Sequence, residues 1–116
     1  MENKAALKLI DKILNDLDKT GINTDALIND IKELRTYALE EQIPLVVKVL
    51  RLAYEHIEEN DSFLIPMLVD EEDDVEVETE NEPVESLKYL IALTKNLNNK
   101  INISDLKEYR DLLNQY

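Results

Sequence analysis

The sequence predicts an all-α fold, a four- to five-helix up-and-down bundle, and three observations predict it. Glycine occurs once and proline three times in 116 residues, whereas an all-β chain needs turn punctuation roughly every ten residues. Apolar residues recur at three- and four-residue spacing through four separate stretches, the period of an amphipathic helix. A fifth stretch, Pro44 to Glu59, is apolar over most of a helical circumference, with Lys48, Arg51, Glu55 and Glu58 or Glu59 in one narrow polar stripe. A helix of that kind must be surrounded by other elements, so it is expected at the centre of the fold.

Helix one is expected near 3–19, where Ala6, Leu9, Ile10, Ile13, Leu14 and Leu17 form one face and Gly21 supplies the left-handed residue of a C-cap. Helix two is expected near 25–42, with Asn23 or Thr24 as N-cap, Asp25 in the first turn and Leu27, Ile31, Leu34 and Ala38 on the apolar face. It should stop before Ile43, because a residue preceding proline is pushed out of the α region. Pro44 then opens helix three near 44–59. The alternative is one kinked helix from Asp25 to Glu59, since Ile43 is a poor cap.

The stretch 61–82 reads as an insert. Phe63 to Val69 is apolar around a central proline, Asp70 to Asp74 is five acids in a row, and Val75 to Glu80 alternates with period two. It is expected to be extended or disordered with its Phe63–Val69 part docked on the core, or a β-hairpin pairing 63–69 with 75–80. Pro83 opens helix four near 83–97, with Val84, Leu87, Leu90, Ile91, Thr94 and Leu97 as its face. Helix five is expected near 104–115, capped by Ser104 and carrying the stripe Leu106, Tyr109, Leu113 and Tyr116. Ala6–Leu17 and Ser86–Leu97 match at an offset of 80, and each leads into a Thr/Ser-Asp pair. A duplicated helical hairpin, helices one–two and four–five, would explain this; chance similarity of amphipathic helices is the alternative.

At 116 residues the chain is read as a single domain, 1–116, able to bury a core without disulfides or metals. It contains no cysteine, which excludes disulfides, thiolate metal sites and cysteine nucleophiles. Residues 1–8 are charged and lack the apolar run of a signal peptide, and nothing approaches the roughly 20 apolar residues of a membrane span. A cytoplasmic location is expected.

The net charge of −13 is unevenly placed. Between Arg51 and Lys88 there is no lysine or arginine, and that gap holds 14 of the 26 acids, leaving 12 acids against 13 lysines and arginines elsewhere. Such a field repels nucleic acid and anionic membrane and attracts basic surfaces.

Little in the chain points to chemistry. One histidine, His56, cannot furnish the three or so protein ligands of a zinc site or the paired Glu-x-x-His motifs of a di-iron bundle. It is expected at the surface near the end of helix three, where the helix dipole favours its cation. An EF-hand register starting at Asp70 puts Val75 where glycine belongs and Asn81 where the bidentate glutamate belongs. Starting at Glu71 loses position 5 to Val75. No catalytic residue, cofactor site or metal site is expected. Tyr37, Tyr54, Tyr89 and Tyr109 are expected at the core boundary with their hydroxyls at water.

The expected function is therefore non-catalytic: a protein–protein interaction or regulatory module that binds a protein partner or itself. The insert supplies the expected contact residues, Phe63 and Met67 for docking and Asp70, Glu71, Glu72, Asp73, Asp74, Glu76 and Glu78 for steering and exclusion of wrong partners. The alternative is an immunity-type inhibitor, chaperone or nucleic-acid mimic that captures a basic protein through the same acids. In either case the functional surface is expected at the Glu55–Glu59 end of helix three, and removal of 61–82 should leave the bundle folded.

Overall fold

The computed structural model describes residues 1–66 and 83–116, and it is helical: α1 (Lys4–Thr20), α2 (Thr24–Glu40), α3 (Pro44–Asn60), α4 (Pro83–Leu93) and α5 (Lys100–Gln115). No strand occurs among the described residues. Residues 63–66 are irregular, and the rest of the expected hairpin or extended insert lies outside the described residues.

Local sequence accounts for most helix ends. Asn3 caps α1, its side-chain oxygen accepting from the N–H groups of Ala5 at 2.8 Å and Ala6 at 3.2 Å. Gly21 closes α1 at φ 67° and donates its N–H to Leu17 O at 3.1 Å. The buried positions of α1 and α2, Ala6, Leu9, Ile10, Ile13 and Leu17, then Leu27, Ile31, Leu34 and Ala38, fall on the faces that periodicity assigns.

Between α2 and α3 the chain turns fully, so 25–59 is two helices and not one kinked helix. Gln42 adopts φ 57° and donates to Leu39 O at 3.1 Å, while Ile43 donates to Ala38 O at 3.1 Å. Together these bonds make the paired-carbonyl C-terminal motif that usually takes glycine at its left-handed position. Glutamine holds that position here, at a backbone cost that glycine would avoid.

The five helices form a closed ring in the order α1, α2, α3, α5, α4 and back to α1. Lys95 pairs with Asp11 at 2.7 Å and Lys88 with Asp18, so α1 and α4 are antiparallel. Tyr109 bonds Ser86 at 3.2 Å and Tyr89 bonds Asp105, so α4 and α5 are antiparallel too. Helices α3 and α5 bring their C-terminal ends together, His56 lying edge-on to Tyr116 with ring centroids 4.6 Å apart, and therefore run the same way. Their buried faces meet in one cluster at the centre of the ring.

Helix α3 is thus a stave of the ring and not its hub. It buries Val46, Val49, Leu50, Ala53, His56 and Ile57 but adjoins only α2 and α5 among the helices. Its remaining apolar residues, Leu45, Val47, Leu52 and Tyr54, stay half-buried along its flanks. The apolar arc is wide because it meets two neighbours at its edges and the core between them.

Two boundaries differ from expectation. Helix α4 ends at Leu93 instead of near 97, because Thr94 turns back on it: its N–H and hydroxyl both bond Ile91 O, at 3.1 and 2.6 Å. The amino group of Met1 donates to Thr94 O at 2.8 Å, satisfying a carbonyl at that helix end. Helix α5 starts at Lys100 and not at Ser104, because Asn99 caps it, accepting from Ile101 N–H at 2.8 Å. Ser104 is an exposed residue inside α5. Substituting Asn99→Ala should therefore cost about 1 kcal/mol in urea unfolding, and Ser104→Ala well under half of that; a larger loss from Ser104→Ala would return the cap to that residue.

Candidate partner-binding groove

The residues singled out in the insert divide sharply. Phe63 is 1% exposed and belongs to the core, its ring against His56 at 5.5 Å and Tyr109 at 6.3 Å. Ile65 is buried beside it. Phe63 is consequently no free contact residue, and a deletion beginning at residue 61 would remove part of the core. Met67, Asp70, Glu71, Glu72, Asp73, Asp74, Glu76 and Glu78 lie outside the described residues. Among the described residues no three metal-ligating side chains converge, and no helix is long and apolar enough to cross a membrane.

His56 is also placed differently from expectation. It is 6% exposed, and its Nε2 accepts the backbone N–H of Leu64 at 2.9 Å. An imidazole nitrogen that accepts a hydrogen bond is unprotonated, so this contact requires the neutral ring. Burial pushes its pKa below the ordinary value, with nearby Glu59 pulling the other way. The dipole argument fails because the ring turns inward beneath residues 62–65, where desolvation outweighs the helix end. Tyr109 is likewise fully buried, its hydroxyl held by Ser86. Tyr89 donates to the carboxylate of Asp105, and that bond, with burial, pushes its hydroxyl up to about 12.

An open apolar groove lies at the other end of α3. The turn at residues 41–43 folds α3 back along α2 and leaves a groove of about 410 Å³ between them. Leu39, Ile43, Pro44 and Val47 form its apolar floor, and Leu39 is 50% exposed there. Gln42 lines the same groove, so the left-handed glutamine of the turn stands at its edge.

Three cations surround that floor: Arg35 from α2, and Lys48 and Arg51 from α3. Arg35 is held across the helix pair, its Nε donating to Val47 O at 3.3 Å. Lys48 and Arg51 are exposed and form no ion pair among the described residues. One turn further out on α2, the Lys32 ammonium lies over the Tyr54 ring, 5.2 Å from its centroid. No carboxylate lines the groove. A pocket between α1 and α2 differs in this respect, since its Asp16 and Asp30 are both engaged by Lys12, at 3.1 and 2.7 Å.

Sequence reasoning passed over this site. Leu39 reads as the flank of one helix, while Lys48 and Arg51 read as the polar stripe of another. They become neighbours only through the turn at Gln42, a position where sequence gives no glycine signal. Comparison with known proteins finds no matching family model, no matching curated protein and no matching solved structure. The groove is therefore read from its own chemistry.

Two outcomes are expected at the α3 C-terminal end. Phe63→Ala should destabilise the protein by about 3–5 kcal/mol in chemical unfolding, as deletion of a buried ring does; a cost near zero would put Phe63 back on the surface. The depressed His56 pKa means that the native state binds fewer protons than the unfolded chain. Its stabilising contribution is therefore present above the unfolded value of 6.5 and is lost as pH falls from there through the folded pKa. Between about pH 7.5 and about pH 5.5 the wild type should lose more melting temperature than His56→Gln, whose amide oxygen can accept from Leu64 without titrating. Equal slopes for the two proteins would show that the Leu64 contact does not depend on a neutral ring.

Proposed function

We propose that this protein is a non-catalytic protein–protein interaction module that docks apolar side chains of a partner in the α2–α3 groove. The observation that carries this reading is the half-exposed Leu39 on a continuous apolar floor. This leucine stays accessible beside the core, in a cavity of the size that takes one or two bulky side chains. Helix-in-groove and extended-peptide recognition both rest on such anchors. The rim of charged residues sets orientation, while the buried anchor supplies most of the affinity.

A random peptide library panned on the wild-type chain tests this, with Leu39→Glu as counter-selection. Since Leu39 is half exposed, the variant should keep its helix content and melting temperature. Selected peptides should share a bulky apolar residue and bind Leu39→Glu at least about tenfold more weakly, a loss of ~1.4 kcal/mol. Selected peptides that bind both proteins equally would overturn the reading.

A further inference from the structure

We infer that the α2–α3 groove selects acidic peptides: its occupant is a segment of a partner protein in which a bulky apolar residue is flanked on both sides by carboxylates. The inference rests on the docking reading above and adds the partner's charge. Arg35 faces the groove from one wall and Lys48 and Arg51 from the other, while the floor between them is apolar. Lys48 and Arg51 are one helical turn apart, which spaces two positive groups along the groove instead of stacking them at one point.

Lys48 and Arg51 stand over an apolar floor and pair with no acid among the described residues, so both are open to a ligand's carboxylate. Lys12, Lys88, Lys95 and Arg110 each hold an acid. At the groove no acid reaches the lining, although acids make up 26 of 116 residues. Glu41, the acid nearest the turn, is turned away: its carboxylate accepts the N–H of Glu2 at 2.9 Å. A carboxylate entering beside Arg35 or Arg51 meets a planar donor fork over a low-dielectric floor, where a charge-assisted bond is strengthened. A lysine-flanked peptide would instead bring like charges together, which repels it.

The overall charge of −13 does not forbid an anionic partner. At physiological salt, fields decay over about 8 Å, and the acid-rich half of α3, Glu55 to Asp61, points to the opposite end of the helix from the groove. Local cations therefore decide the choice once a peptide is near. Because long-range repulsion and local attraction respond oppositely to salt, charge reversal tests the inference better than a salt titration.

Two fluorescein-labelled peptides of equal length and the same Leu-Phe anchor, one flanked by glutamates and one by lysines, are titrated against the wild type, Leu39→Glu and the double variant Lys48→Glu/Arg51→Glu. The wild type should bind the glutamate peptide at least about tenfold more tightly than the lysine peptide, and the double variant should reverse that order. Both altered residues are exposed, so circular dichroism should show unchanged helix content; Lys48→Gln/Arg51→Gln should remove the preference without reversing it. If the wild type binds the two peptides equally and Leu39→Glu loses both, acid selectivity is wrong and apolar docking stands. If neither peptide binds the wild type, the docking reading itself fails. A peptide of the chain's own residues 70–80 binding as tightly as the glutamate peptide would reassign the groove to a second copy and overturn the assignment to a separate partner.

Discussion

The ring closes through Tyr109. Helices α3 and α5 run the same way and therefore cannot be joined by a tight turn; they have to be held by side chains. Tyr109 does this from α5, fully buried, with its hydroxyl on Ser86 of α4 and its ring beside Tyr89 and Phe63. Phe63 passes the contact to His56 of α3, and His56 passes it to Tyr116. Residues 63–65, which follow α3, are thus tied across the end of the parallel pair. Burying a phenolic hydroxyl is unfavourable without a partner, and the small Ser86, itself fully buried, supplies both a hydroxyl and a carbonyl at that point.

Helix content was legible in the sequence because it is local. The faces of α1 and α2, the stop at Gly21 and the start at Pro44 all follow from residues within one or two turns of each other. What escaped is non-local. The order of staves around the ring depends on which apolar faces meet, and periodicity is silent on that. His56 reads as a surface cation until residues 62–65 fold over it. Asn99 and Ser104 are both competent caps, and the earlier one wins here, with Asn102 additionally bonding Asn96 O at 2.9 Å. The expected hub, α3, was inferred from a wide apolar arc, and a stave with half-buried flanks has the same composition.

The correspondence between the α1–α2 and α4–α5 hairpins does not extend to the helix caps. In the α1/α4 register Asp11 meets Lys95 and Asp18 meets Lys88. The caps do not follow, since α5 begins on Asn99 while α2 begins after Asn23, an offset of 76. The charge is uneven as well, with acids accumulating from Glu55 onward.

The α1/α4 seam has a consequence for how the ring assembles. Helices α1 and α2, and α2 and α3, are joined by three-residue turns and can meet as soon as each pair exists. Asp11 and Lys95 are separated by 84 positions, so that seam orders a long stretch of chain before any contact rewards it. Loop entropy grows slowly with length, by about 0.6 kcal/mol per doubling, so the closed ring is affordable at equilibrium although its last seam is slow to find. The three-helix layer α1–α2–α3 is the part that chain connectivity favours first, and the α2–α3 groove lies wholly within it.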